Sequence, residues 1–152
     1  MEENFDYIIV GAGSAGCVLA NKLSESKKNT VLVIEAGGKD TNLFIHMPSG
    51  YSQIVPNSSK LNYGFETEPE INTAGRKLFW PRGRGWGGSS SINAMIYTRG
   101  HSSDYDHWRQ LGNPGWSYDD VLPYFKRAEN YEGDGDEEFH GKNGPLNVKK
   151  ST

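Results

Sequence analysis

The chain has 152 residues, of which 35% are hydrophobic, and a formal net charge of −3, so it is long enough for one domain with one core. The negative charge argues against nucleic acid as a partner, because phosphate binding needs clustered Lys and Arg in excess. No apolar run reaches the roughly 18 residues of a membrane-spanning helix, and the acidic start shows no secretory signal. We therefore predict a cytoplasmic protein, with membrane association not expected for this segment.

Cysteine and glycine contents narrow the class of protein further. The single cysteine, Cys17, excludes an internal disulfide, and we expect it to be a packed core thiol. No metal site is predicted, because no set of His, Cys, Asp or Glu has the spacing of metal ligands. The 19 glycines favour a folded chain that needs glycine at particular backbone positions.

The first 35 residues predict a strand, a helix and a second strand. Residues 7–10 are apolar and β-branched, as in a buried parallel strand, and residues 30–35 repeat that pattern. Between them, residues 14–24 carry small and apolar side chains at helical spacing. This order is typical of a βαβ unit with a Rossmann-like α/β fold.

The next part of the chain predicts an irregular excursion followed by a small antiparallel ribbon. Residues 39–59 contain two prolines and many Ser and Asn, together with apolar side chains that would anchor them to the protein. Residues 63–67 and 77–80 alternate as strands do, and residues 72–75 suit a turn between them.

Two peripheral helices are predicted in the second half. Residues 102–111 have aromatic and apolar side chains at helical spacing and are followed by a glycine. Ser117 and Asp120 resemble a capping box ahead of a helix over residues 121–128. Pro123 is expected to split that helix into a turn and a later helix, because proline cannot donate its backbone hydrogen bond.

The first motif of chemical interest follows the first strand. Gly11, Gly13 and Gly16 form a G-x-G-x-x-G pattern that opens the predicted helix. The first glycine permits the tight turn, the second lets the backbone approach a pyrophosphate, and the third lets helix and sheet pack closely. Glu35 ends the second strand, where an acid accepts hydrogen bonds from a ribose diol and repels a 2′-phosphate. The sequence therefore predicts a dinucleotide site that does not favour NADP.

A second glycine-rich motif spans residues 83–93. It lacks the Gly-Lys-Ser/Thr ending of a phosphate-binding Walker loop. The residues alone leave two interpretations open: a backbone that closely approaches a flat or anionic ligand, and a flexible loop.

The residues around the second motif resemble the first signature of the glucose–methanol–choline (GMC) family of FAD-dependent oxidoreductases. The resemblance is carried by these runs: Trp80-Pro81-Arg82-Gly83, Gly87-Gly88-Ser89-Ser90, Ile92-Asn93, Tyr97, Arg99-Gly100-His101, Asp104-Tyr105-Asp106-His107-Trp108 and Gly115-Trp116-Ser117-Tyr118. It covers essentially the whole chain and is most similar to the bacterial alcohol and choline dehydrogenase branch.

The resemblance implies FAD as the cofactor and assigns residues to it. The ADP half would be held by Gly11, Gly13, Ser14, Ala15, Gly16, Glu35 and Ala36. The pyrophosphate and flavin would lie along Gly85, Gly88, Asn93, Ala94, Met95 and Ile96. Some members attach the flavin through a His in this stretch, where this chain has Ile92, so non-covalent FAD is predicted.

The chemistry that the resemblance implies is hydride transfer from the carbon of a primary alcohol, choline-like or aliphatic, to flavin N5. The family's catalytic His lies near the C-terminus of a much longer chain, and nothing here matches it. None of His46, His101, His107 and His140 has an acidic partner at a convincing spacing, so no catalytic residue is predicted. We expect an N-terminal piece of the family fold, incomplete without the later strands, and an unidentified electron acceptor.

The expected organisation is residues 1–130 as the N-terminal part of an FAD-binding domain. Residues 131–152 would form an acidic loop, over residues 132–143, and the start of a substrate domain. The alternative is a non-catalytic fragment or subunit that binds FAD. An NAD dehydrogenase is disfavoured by the flavin-loop signature.

Overall fold

The computed structural model describes residues 4–57 and 59–150. It has mixed helices and short strands, and its contacts divide it into two compact units between Ile96 and Tyr97. The ends of the predicted domains, residues 1–3 and 151–152, lie outside the described residues. The assignment of residues 1–130 and 131–152 to cofactor and substrate domains stays a prediction.

The first unit begins with the predicted βαβ unit. Strand β1 (Tyr7–Val10) is followed by helix α1 (Ser14–Ser24) and strand β2 (Val31–Ile34). The two strands pair in parallel, with Ile9 opposite Val33. The α/β fold class predicted from the sequence is therefore confirmed for this part of the chain.

The burial predicted for the first strands is wrong for these 152 residues. Ile9 is buried, but Ile8 is 61% and Val10 is 84% exposed. A parallel sheet normally buries both faces, whereas this sheet has two strands within the described residues and leaves one face uncovered. Cys17, expected in the core, is also exposed.

The segment expected to be irregular contains three short helices. They are α2 (Leu43–His46), a 3₁₀ helix (Pro48–Gly50) and α3 (Tyr51–Ile54). The Asn42 side chain accepts a hydrogen bond from the Phe44 amide and so starts the first of them. Helices of three or four residues are too short to produce a periodic pattern, which explains why the sequence did not indicate them.

The predicted ribbon is present but short. Strand β3 (Phe65–Glu66) pairs in antiparallel fashion with β4 (Phe79–Trp80), and a 3₁₀ turn at Ile71–Thr73 lies between them. Asn62 anchors the ribbon, since its fully buried side chain accepts hydrogen bonds from the amides of Gly64 and Arg82. Its side-chain amide donates to the carbonyl groups of the segment that follows α3.

The second unit consists of two helices and two strands. Helices α4 (Ser102–Gln110) and α5 (Tyr118–Ala128) pack around Tyr105, whose ring meets that of Phe125 edge to face. Strands β5 (Glu129–Tyr131) and β6 (Leu146–Val148) pair in parallel. Neither strand was predicted, and the loop predicted over residues 132–143 lies between them without a helix or strand.

The start of α5 confirms one prediction and corrects another. Ser117 and Asp120 form the expected capping box, in which each side chain accepts a hydrogen bond from the other's backbone amide. Pro123 does not split the helix, which runs unbroken from Tyr118 to Ala128. The capping box and packing against α4 outweigh the cost of the missing Pro123 donor. Within the described residues, no helix is long and apolar enough to cross a membrane.

Candidate cofactor-binding site

The glycine motif forms the turn between β1 and α1. Gly11 has a φ of +97°, in the left-handed region that glycine adopts without strain. Gly13 is the N-cap of α1, so no side chain caps the helix, and its first turn contains no acidic residue. The first amides of a helix have no partner within it, and the exposed residues Ser14 and Ala15 lie at this positive end of the helix dipole. This end of α1 suits an anionic group.

Gly13 and Gly16 occupy contrasting positions in this turn. A Cβ atom at Gly13 would meet nothing within 4 Å, so the space beside it is open. A Cβ atom at Gly16 would lie 1.9 Å from the carbonyl oxygen of Gly11. Gly16 therefore permits the close packing of helix and turn, whereas Gly13 leaves room for a ligand to approach the backbone.

Glu35 joins the turn to the end of β2 and to the second glycine-rich loop. Its carboxylate accepts hydrogen bonds from the amides of Ala12 at 2.7 Å, Gly37 at 2.8 Å and Gly85 at 3.1 Å. The pKa of Glu35 lies below its ordinary value of 4.5, although partial desolvation raises it. The hydrogen bond from the Ala12 amide lowers this pKa most, and the one from the Gly37 amide comes next. An ionised Glu35 is thus part of the folded turn itself.

The second loop lies directly against the turn. The Gly87 amide donates to the Ala12 carbonyl at 2.7 Å, and the Trp86 amide donates to the Gly38 carbonyl at 3.0 Å. A Cβ atom at Gly88 would lie 2.9 Å from the Cα of Gly13. Gly85 and Gly88, predicted to act with Gly11, Gly13 and Gly16, are therefore brought together with them.

Glu35 keeps some acceptor capacity for a ligand. A carboxylate has about four acceptor positions, and the backbone amides bind two on Oε1 and one on Oε2. Oε2 is therefore the oxygen from which Glu35 can accept a ribose hydroxyl. Together with the helix N-terminus and the open space at Gly13, this donor and acceptor set fits a dinucleotide diphosphate. Ala36, also predicted in the site, follows Glu35 and is exposed.

The remaining predicted residues lie on the segment that leaves the second loop. Asn93, Ala94, Met95 and Ile96 are exposed, with Met95 at 58% and Ile96 at 81%. Asn93 and Met95 line a cavity of about 220 Å³ with Phe44, Met47 and Tyr51, among others. Asn93 and Ala94 also line a second cavity, of about 360 Å³, together with Tyr51 and Ile92. Among the described residues, no hydrogen bond connects residues 93–96 to the turn between β1 and α1.

Ile92, which the resemblance predicts to stand where some family members carry a flavin-linked His, is buried at 6% exposure. Its hydrocarbon side chain packs inside the first unit and contains no nucleophilic atom. Non-covalent binding of FAD stays a prediction.

The prediction that no histidine has an acidic partner is wrong for His140. His140, in the second unit, has an acidic partner: its Nδ1 lies 3.1 Å from Oε1 of Glu129. Glu129 is fully buried and also accepts from Arg99 Nη2 at 2.7 Å and from the Gly141 amide at 2.9 Å. Sequence spacing could not indicate this, because Glu129 is 11 residues from His140 and 30 from Arg99.

Sequence reasoning also missed three residues of the first site. Ala12 contributes both its amide, to Glu35, and its carbonyl, to Gly87. Gly37 donates to Glu35, and Gly38 accepts from Trp86. The sequence signal was the pair Gly37 and Gly38 shortly after β2, because residues without a side chain let the backbone come close to another loop.

Comparisons with known proteins agree with this geometry. The family model described as GMC oxidoreductase matches residues 5–152. Over 148 residues the chain is 54% identical to the oxygen-dependent choline dehydrogenase of Vibrio vulnificus, covering 97% of this chain and 26% of that protein. It is 50% identical over 144 residues to an alcohol dehydrogenase (acceptor) of Pseudomonas putida, covering 95% and 26%.

A solved structure gives the same result for the fold. Pyridoxine 4-oxidase from Mesorbium loti superimposes with a TM-score of 0.86 at 42% identity, over 95% of this chain and 28% of that one. The chain thus spans about a quarter of the length of the curated relatives that it matches. Since the family model covers nearly every residue and the βαβ turn and flavin-loop signature both take the expected form, the chain belongs to the GMC oxidoreductase family.

Proposed function

We propose that this chain is the FAD-binding N-terminal part of an oxidoreductase that acts on the CH–OH group of primary alcohols, choline-like or aliphatic. The observation that carries the proposal is the joining of two loops by Glu35. Its carboxylate binds the turn after β1 through Ala12 and the second loop through Gly85. The protein's own hydrogen bonds therefore hold both loops around the uncapped end of α1.

The proposed roles follow from this geometry. The amides of Ser14, Ala15 and Gly16 bind the pyrophosphate, and the open space at Gly13 lets it approach the backbone. Glu35 accepts a ribose hydroxyl through Oε2. The second loop runs along the pyrophosphate, and residues 93–96 lie towards the flavin.

When bound, FAD supplies the acceptor for the hydride that leaves the alcohol carbon. The residues of this chain bind and orient the cofactor, and none is assigned the role of the base that removes the hydroxyl proton. Binding is non-covalent, because Ile92 has no nucleophilic atom and is buried. The electron acceptor is not assigned.

Cofactor content tests the binding part of this proposal. The purified chain, incubated with FAD and freed of excess by gel filtration, is expected to retain flavin absorbance. Acid precipitation should then release the flavin into the supernatant. Flavin fluorescence that stays with the precipitated protein contradicts non-covalent binding, and absence of retained flavin contradicts FAD binding by this chain.

Reconstitution tests the catalytic part. A second polypeptide that carries the remaining three-quarters or so of the Vibrio vulnificus relative, whose matched region is 26% of that protein, is mixed with the flavin-loaded chain. Choline-dependent dye reduction is the expected result. Association of the two polypeptides with bound FAD but no dye reduction favours the alternative, a non-catalytic FAD-binding subunit.

A further inference from the structure

The start of the second loop is held by a residue that has no role in the proposed function. The Asn62 Oδ1 atom accepts a hydrogen bond from the amide of Arg82, immediately before the loop, at 3.0 Å. The two residues are 20 positions apart, so this contact joins separate segments of the first unit. Asn62 therefore acts on the same loop that Glu35 binds at Gly85, but at a different place.

The Asn62 side chain is used entirely for contacts within the protein. Its Oδ1 atom also accepts from the Gly64 amide at 3.0 Å. Its Nδ2 atom donates to the carbonyl groups of Val55 at 3.0 Å and Asn57 at 3.2 Å. These contacts use both donor hydrogens and both lone pairs of the side-chain amide, and the residue is fully buried. Asn62 can therefore affect a cofactor only through the backbone that it holds.

Backbone contacts beside Asn62 reinforce this link. The Tyr63 amide donates to the Arg82 carbonyl at 2.9 Å, and the Arg84 amide donates to the Leu61 carbonyl at 2.8 Å. Asn62 thus lies opposite Gly83, the first residue of the loop. Together these contacts fix the backbone of residues 82–84.

The start of the loop lies against its middle, and the middle lies against the turn after β1. The Gly83 amide donates to Ser89 Oγ at 3.1 Å, and a Cβ atom at Gly83 would lie 2.1 Å from the Gly88 carbonyl oxygen. A Cβ atom at Gly88 would in turn lie 2.9 Å from the Cα of Gly13. Because these backbones pack directly on one another, a shift of Gly83 displaces Gly88 as well. A continuous series of close contacts therefore runs from Asn62 to the proposed pyrophosphate site.

We propose that Asn62 is a positioning residue that places the second loop against the turn after β1 and so presets the pyrophosphate site for FAD. The proposal rests on the proposed function. Gly85, Trp86 and Gly87 are bound by residues of the turn and of the segment after β2. Asn62 holds the residues that precede them, so it determines where the chain enters these contacts.

The first test needs no cofactor and measures amide hydrogen exchange of the full chain by nuclear magnetic resonance. The Gly87 amide, bonded to the Ala12 carbonyl, reports on the contact between loop and turn, and the Gly11 amide, bonded to the Ile34 carbonyl, reports on the βαβ unit. Asn62→Ala should raise the exchange rate of Gly87 relative to that of Gly11 about fivefold. A wild-type ratio of the two rates overturns the proposal, because it means that the variant only destabilises the unit as a whole.

Two further variants separate positioning from loss of stability. Ile54→Ala removes a buried side chain of the same unit and should lower stability, but it leaves the backbone carbonyls that Asn62 binds. It should keep the wild-type ratio of rates. Asn62→Ser is a milder change that decides the matter if Asn62→Ala does not fold, since its hydroxyl still accepts from the Gly64 amide but is too short to hold Arg82 as well. A raised ratio in Ile54→Ala, or a wild-type ratio in Asn62→Ser, overturns the proposal.

Titration with FAD tests the cofactor part of the proposal. Asn62→Ser should weaken FAD binding about fivefold, because the loop occupies its binding position for a smaller fraction of the time. Ile54→Ala should stay within about twofold of wild type, because it leaves that fraction unchanged. Equal affinities of Asn62→Ser and wild type overturn the cofactor role of Asn62. If the wild-type chain binds no FAD, the proposed function fails for this chain and that role fails with it, and the exchange ratio decides the backbone role alone.

Discussion

Two glutamates, one in each compact unit, organise their surroundings in similar ways but with different consequences. Each carboxylate accepts hydrogen bonds from three other residues, at least two of which are more than ten residues away in sequence. The donors to Glu35 are the backbone amides of Ala12, Gly37 and Gly85. The donors to Glu129 are the side chains of Arg99 and His140 and the amide of Gly141.

The difference lies in what surrounds each carboxylate. Glu35 is partly exposed, next to the open space at Gly13, and keeps some acceptor capacity. Glu129 is fully buried, the Arg99 side chain is 2% exposed, and His140 stacks on the ring of Tyr131. Glu35 can therefore both hold the protein together and receive a ligand, whereas the arrangement around Glu129 is closed and stabilises the second unit.

The largest predicted effect is on the closed cluster. Glu129→Ala leaves the buried Arg99 charge without its partner, and we expect unfolding free energy to fall by about 3 kcal/mol. Urea unfolding followed by the fluorescence of Trp108 and Trp116, both in the second unit, measures this loss. Glu137→Ala, which removes an exposed ion pair with Lys142, is the matched control and should leave the midpoint unchanged. Equal midpoints for the two variants would contradict the closed-cluster interpretation.

A pair of glycine variants separates folding from binding in the first unit. Gly16→Ala places a methyl group 1.9 Å from the Gly11 carbonyl oxygen, and we expect it to destabilise the chain by about 2 kcal/mol. Gly13→Ala meets nothing within 4 Å and has a φ of −76°, so it should cost only the loss of a favoured N-cap residue, about 0.5 to 1 kcal/mol. Thermal unfolding measures both. A Gly13→Ala variant as unstable as Gly16→Ala would mean that the space at Gly13 is not open.

A smaller effect is expected at Glu35. Glu35→Gln keeps the size of the side chain but removes the charge that three amides bind. The second loop should lose its fixed position, and FAD affinity should fall about tenfold. Titration by flavin fluorescence measures the change, with the exposed Glu68→Gln as control. Wild-type affinity in Glu35→Gln would show that the carboxylate does not organise the two loops.

The smallest effect is a dependence of stability on pH. Burial raises the pKa of Glu129, but the Gly141 amide, His140 and Arg99 outweigh it, so its pKa lies below the ordinary value of 4.5. The pKa of Glu35 is lowered too. Because folding favours the ionised form, this stability is present above pH 4.5 and is lost as the pH falls through the lower folded-state values. Urea unfolding measured at several pH values between roughly 3 and 6 gives the unfolding free energy as a function of pH. This free energy should fall less steeply with decreasing pH in Glu129→Gln than in the wild type. Identical slopes in the two proteins would contradict the lowered Glu129 pKa.

Features that depend on neighbouring residues could be predicted from the sequence. The βαβ order, the glycine motif at the start of α1 and the Ser117–Asp120 capping box are all recorded in neighbouring residues, and each is confirmed. The family resemblance supplied the second loop, and the comparisons confirm it. The cofactor-binding roles of the predicted site residues stay predictions.

Contacts over long separations could not be predicted in the same way. Glu35 and Gly85 are 50 residues apart, and Arg99 and Glu129 are 30 apart. Neither pair produces a periodic pattern, because a hydrogen bond between distant segments depends on how both are placed. The continuous helix through Pro123 shows the opposite case, in which a strong local signal was outweighed by the capping box and by packing against α4.

The most direct test of the central claim is equilibrium titration of the chain with FAD, in wild type and in Gly13→Val. The account predicts saturable binding at one site in the wild type and loss of binding in a variant that still folds, because a side chain at Gly13 fills the space beside the N-terminus of α1. Unchanged FAD binding in a folded Gly13→Val chain would contradict the assignment of this turn as the pyrophosphate site.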